Sequence, residues 1–72
     1  MRQEWFNPGN GRRYLVEVYQ DLLGDWVLTR RWAGSGRSGN QKMAVLSNYQ
    51  EAMKQVNGIA GKRRIRGYQP VA

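Results

Sequence analysis

Two alternating runs separated by a short connection constrain this chain more than anything else in it. Between Arg12 and Gln20, Tyr14, Val16 and Val18 alternate with Arg13, Leu15, Glu17 and Tyr19. A period of two is the signature of a strand with one face buried, and the first set is the better core face. Between Trp26 and Trp32, one face carries Trp26, Leu28, Arg30 and Trp32, and the other carries Val27, Thr29 and Arg31. Neither of these faces is cleanly apolar, so both are expected to be partly covered. The link Asp21-Leu22-Leu23-Gly24-Asp25 has hairpin length with Gly near its end, and aspartates at such positions serve turn chemistry. The pair is therefore an antiparallel hairpin.

The remaining elements fall around it. Arg2 to Phe6 is a short aromatic stretch that suits an edge strand. Asn7-Pro8-Gly9-Asn10-Gly11 is the densest breaker signal in the chain. Ala33 to Asn40 is a Gly/Ser loop, and Gln41 to Leu46 is a further short strand. Ser47-Asn48-Tyr49-Gln50 matches a capping box with Ser47 at the N-cap, and Glu51 in the first turn suits the helix dipole. Ala52, Val56, Ile59 and Ala60 recur at helical spacing, with Met53 beside them. Gly58 and Gly61 each weaken the helix by about 1 kcal/mol relative to Ala, a cost that close packing on the sheet would explain. Lys62-Arg63-Arg64 closes the helix and Gly67 stops it, leaving Tyr68 to Ala72 as a short extended tail. Strands in succession followed by one helix give an α+β fold. The expected architecture is one domain over residues 1–72, a small antiparallel sheet of four to five strands with a helix across one face.

A chain of 72 residues buries only roughly 60% of the surface its unfolded state exposes, so the core is thin. Three Trp, four Tyr and one Phe are available to fill it, and Trp5, Trp26, Tyr14 and Tyr49 read as core or support. The chain contains neither Cys nor His. That excludes disulfides, thiolate chemistry and the usual zinc ligand sets, and it removes the commonest general acid or base near neutral pH. No catalytic residue, metal site or cofactor is expected, and the chain does not read as an enzyme. No run approaches the ~18 apolar residues of a membrane span, and the first residues lack the apolar core of a signal peptide. The expected setting is the cytoplasm of a bacterial-style cell, without membrane contact.

Charge points to the partner. Twelve Lys and Arg stand against five Asp and Glu, a net charge of +7. Residues 1–36 hold five basic and four acidic side chains, net +1, whereas residues 37–72 hold seven and one, net +6. Such asymmetry makes a directional field that attracts polyanions. The strongest cluster is Lys62, Arg63, Arg64 and Arg66; on a helix, Lys62 and Arg66 share a face while Arg63 turns away. Its bland alternative is a solvated helix end that complements the dipole. Arg30 and Arg31 precede Trp32, and whichever shares its face would give a stacked base a charged neighbour. Trp32 itself reads equally well as core or as a half-packed ring with one side exposed. Tyr68 is a weaker stacking candidate.

Gly34-Ser35-Gly36-Arg37-Ser38-Gly39 literally satisfies the dinucleotide pattern of spaced glycines. That pattern requires a helix directly after the loop within a βαβ unit, and here a strand follows, so the reading fails. The loop remains either a plain hairpin loop or a nest of N–H groups for a phosphate.

One combination is more specific. Arg13-Tyr14 opens a strand; Gly24-Asp25-Trp26-Val27-Leu28-Thr29-Arg30-Arg31-Trp32 follows; then come Gly36, Gly39, a helix with Glu51-Ala52, and Lys62-Arg63-Arg64-Ile65-Arg66-Gly67-Tyr68. In that order these residues resemble the WGR domain family over roughly residues 12–69. The resemblance implies an antiparallel sheet with one helix across it, as in the domain of poly(ADP-ribose) polymerases that helps grip a DNA break. It also implies Trp32 as the position that contacts a nucleotide. In the family the motif Arg contacts neighbouring domains; here the name-giving Gly and Arg are replaced by Ala33 and Gly34, so the resemblance does not extend to that role, and Arg37, three positions on from Gly34, is the arginine that would have to replace it. Taken together, the expected function is a non-catalytic nucleic-acid-binding module, DNA favoured over RNA, ends or breaks included. Its contact residues would be Trp32, Arg30, Arg31, Arg37, Lys42, Lys62, Arg63, Arg64 and Arg66. The alternative is a protein-interaction module docking an acidic partner.

Overall fold

In the computed structural model, which describes residues 1–34 and 39–71, the two alternating runs pair as the centre of an antiparallel sheet. The strands are β1 (Arg2–Phe6), β2 (Arg13–Gln20), β3 (Trp26–Ala33), β4 (Asn40–Leu46) and β5 (Gln69–Val71), and the helix α1 spans Tyr49–Ile65. The spatial order is β4-β3-β2-β1-β5. The fold is therefore α+β, as expected.

The β2–β3 register aligns Tyr14 with Trp32, Val16 with Arg30, Val18 with Leu28 and Gln20 with Trp26. Because side chains alternate, these pairs share one face. The helix lies on that face. Ala52, Val56 and Ile59 are its buried residues, and they join Trp5, Tyr14, Val16, Val18, Leu28 and Tyr68 in one cluster. Trp26, Trp32, Leu46, Met53 and Ala60 pack around its margin. The opposite face has no helix, yet Val27 and Thr29 are buried there too. Tyr19 and Val45 stand directly opposite Val27, and Glu17 and Met43 opposite Thr29, so cross-strand neighbours cover them.

Three local expectations are corrected. The helix is capped by Asn48, not Ser47: its backbone is extended (φ −159°, ψ 172°) and its side chain accepts from the N–H of Glu51, Oδ1 to N 2.9 Å. Ser and Asn are comparable N-caps, and each stands three residues before a Gln or Glu; the chain places the Asn48 oxygen on the Glu51 N–H, so the cap shifts by one. Gly58 and Gly61 do not serve close packing, since a Cβ on either would meet nothing within 4 Å. And the C-terminal tail is a strand, which makes β1 internal rather than an edge.

That last change originates at the helix end. Gly67 takes a positive φ of 87°, where a side chain would be strained. The N–H of Tyr68 donates to the Arg63 carbonyl at 2.9 Å and that of Gly67 to the Arg64 carbonyl at 3.1 Å. This is the paired closure of a Schellman motif. It turns the chain back, buries Tyr68 in the core and lays Gln69–Val71 along β1. Pro70, opposite Trp5, lacks an N–H and is tolerated because β5 is an edge. No helix among the described residues is long and apolar enough to cross a membrane.

A basic cleft as candidate nucleic-acid interface

The buried stripe of the helix runs Ala52, Val56, Ile59 at steps of four and three. Continued at the same steps it reaches Arg63 and Arg66. The helix thus carries arginines, in place of apolar residues, to the end of the sheet where β2 begins and β3 finishes. There they meet Arg12 and Arg13 at the start of β2, and Arg30 and Lys42, which pair across β3 and β4. These six cations line one cleft of about 480 Å³, together with Trp32, Tyr14, Tyr68, Asn40, Ala33 and Gly34. No carboxylate lines it among the described residues. The ion pair found among those residues, Arg2 with Glu4 at 2.6 Å, lies elsewhere. Like charges held this close without counter-charge repel one another and are relieved by an anion.

Aromatic rings form the floor. Trp32 is half-buried and stacks on Tyr14, with centroids 5.7 Å apart and planes 11° from parallel. Tyr14 also meets Trp5 and Tyr68 edge-on, at 6.2 and 6.4 Å. The Arg63 guanidinium sits 4.1 Å from the Tyr14 ring centre and 4.9 Å from that of Tyr68, close enough for cation–π attraction. Its Nε is buried without a hydrogen-bond partner among the described residues, so stacking on the two rings is what locates this side chain. Trp32 therefore combines the two roles open from sequence, as a core-packed ring that also borders the cleft.

Asn7, buried in the first turn, ties the cleft together. Its Nδ2 donates to the Arg66 carbonyl at 3.0 Å, its Oδ1 accepts from the Gly9 N–H at 2.9 Å, and its N–H donates to the Arg12 carbonyl at 2.8 Å. One side chain and its own backbone thereby link the helix end carrying Arg66 to the segment carrying Arg12.

Of the sequence candidates, Trp32, Arg30, Lys42, Arg63 and Arg66 converge here. Arg31 does not: it belongs to the opposite face, across from Leu15 and Gln41. Lys62 and Arg64 are exposed on the helix and do not line the cleft. The expected pairing of Lys62 with Arg66 is replaced by Arg63 with Arg66, because the 52-56-59 stripe, not the charge run, sets the helix rotation. Arg37, and with it most of the glycine-rich loop, lies outside the described residues. Arg12 and Arg13 were absent from the sequence candidates. Their signal was present in the hairpin: pairing Gln20 with Trp26 places Arg13 opposite Ala33, one residue beyond Trp32.

Among the described residues no group of three or more acids, His or Cys stands where a metal ion would be held. Residues 2–72 match the family model of the WGR domain. No curated protein matches the chain, and no solved structure does.

Proposed function

This chain belongs to the WGR domain family, and on that premise we propose that it binds nucleic acid through the basic cleft at the start of β2, with DNA favoured over RNA. The family is a non-catalytic, nucleic-acid-binding module in poly(ADP-ribose) polymerases. The observation that carries the proposal for this chain is the convergence of six cations on Trp32 with no carboxylate between them among the described residues. A nucleic-acid backbone presents regularly spaced phosphates, and arginine matches them with a planar fork of donors. Trp32, supported from one side by Tyr14, packs on a sugar or base where a strand ends or the duplex is distorted. Sequence specificity is not expected, because the cleft is formed at the end of a sheet rather than by a helix shaped for the major groove.

The test is an electrophoretic titration against blunt duplex, nicked duplex, single-stranded DNA and RNA over a range of salt. With four to six phosphates neutralised, log K against log salt falls with a slope of about −4 to −5. Preference for blunt or nicked duplex supports the strand-end reading, and preference for RNA moves the proposal to that polymer. Absence of binding at low salt removes it and leaves the acidic protein partner as the occupant of the same cleft.

A further inference from the structure

The β2–β3 turn and the face of the sheet without a helix complement one another; the turn takes no part in the proposed cleft, and the open face meets it along a shared border of Arg13, Tyr14, Trp32, Ala33 and Asn40. At the turn, Leu22 and Leu23 are 105% and 88% exposed, two neighbouring apolar side chains held out in water. The turn that holds them is well ordered by hydrogen bonds. Asp21 Oδ1 accepts from the N–H groups of Leu23 and Asp25, each at 2.9 Å, the Gly24 N–H donates to the Asp21 carbonyl at 3.0 Å, and Gly24 takes a φ of 86°. The tip is thus a leucine pair flanked by Asp21 and Asp25. On the open face, Phe6, Leu15, Ala33 and Val71 line a groove of about 550 Å³ that also carries Arg13 and Arg31. Glu4, which borders it as well, is already paired with Arg2. An apolar knob between two acids therefore has its counterpart in an apolar groove between two arginines.

We propose that the β2–β3 tip of one copy docks in the open-face groove of a second copy. The occupant cannot be the chain's own tip, because Leu15 and Asp21 are separated by about 20 Å of extended strand at ~3.3 Å per residue. A preformed turn loses little conformational freedom on docking, and complementary charges fix its orientation. The contact joins two different surfaces, so it is head-to-tail and propagates instead of closing as a two-fold dimer. It is a small contact of the transient class, working against the net charge of +7 on each copy.

Sedimentation equilibrium of the chain without nucleic acid tests this separately from the binding function. The average mass should rise above 8.3 kDa as concentration approaches ~1 mM, the range in which weak contacts populate. Leu22→Ser with Leu23→Ser should weaken association by about tenfold or more, with circular dichroism unchanged because both side chains are exposed. Asp25→Lys and Arg31→Glu should each weaken it similarly, and an equimolar mixture of those two variants should restore it, since each then offers the other a matched tip and groove. A wild-type chain that remains at monomer mass, tip variants that associate like wild type, or a mixture that stays monomeric would overturn the proposal.

Discussion

At one end of the sheet, Arg12, Arg13, Arg30, Lys42, Arg63 and Arg66 line one cleft with Trp32; at the other, Asp21 and Asp25 flank Leu22 and Leu23, which touch water on nearly every side. The two ends differ in how they are held as well as in sign. The basic end is built from four elements and the first turn, with Asn7 bonding the helix to the β2 entry and Tyr14 beneath both Trp32 and Arg63. The acidic end closes on itself, its hydrogen bonds running between Gln20 and Asp25, within one turn and the residue that enters it. Side chains that must act together are placed by long-range packing, whereas a local tip needs only a good turn. Substitutions at the first end should therefore disturb fold and binding in related ways, and those at the second should leave the fold alone.

The largest effect that would break this comparison comes from its shared support. Tyr14→Ala should cost about 3–5 kcal/mol in chemical denaturation, in the range of large aromatic truncations in a core, enough to unfold much of a domain this small. A well-folded Tyr14→Ala protein would show that the basic end does not depend on the core. Trp32→Ala comes next. The half-buried ring should be lost with the fold largely retained by circular dichroism, while binding to DNA ends weakens by about 1–3 kcal/mol. Unaltered end binding by a folded variant would leave phosphate attraction as the whole interaction.

A charge-matched pair of double variants sharpens the geometry. Arg12→Ala with Arg66→Ala and Lys62→Ala with Arg64→Ala each remove two charges, so both lower the distant field alike. The first should reduce the salt slope by up to about two units and the second by much less. Equal reductions would mean that total charge, not the cleft, governs binding. The smallest effect concerns the helix start near the acidic end: Asn48→Ala should cost about 1 kcal/mol, the usual loss of an N-cap, and Ser47→Ala only tenths, read as shifts of the denaturation midpoint. The reverse order would return the cap to Ser47.

The sequence alone was informative where the signal was local and periodic. The alternation around Tyr14, Val16 and Val18 yielded both the hairpin and the buried face, and ordered motif positions from Arg13 to Tyr68 yielded the family. What it concealed were choices between similar residues and the results of remote packing. Ser47 and Asn48 are both good caps, and only the bond to Glu51 distinguishes them. The run Lys62 to Arg66 looks uniform as charge, but rotation of the helix stripe sends Arg63 and Arg66 into the cleft and leaves Lys62 and Arg64 outside. Gln69–Val71 had no strand pattern of its own, because a three-residue edge strand is specified by the turn at Gly67 and by β1. Asn7 carried only a turn signal, and its role at Arg66 depends on a contact 59 residues away in sequence.

That last strand also sets an order of events. β5 pairs with β1 through Glu4 with Val71 and Phe6 with Gln69, joining segments from opposite ends of the sequence, and such contacts have the largest loop-closure cost in the molecule. Folding should complete the β2–β3–β4 meander and the helix first and zip β5 last, and in the native state the same strip should open most readily. Amide exchange would show Gln69 and Val71 losing protection ahead of Val16 and Leu28. Tyr68 leads into this strip from the rim of the cleft, so a polyanion held there should slow the opening by favouring the closed form. The edge of the sheet would then report occupancy of the cleft.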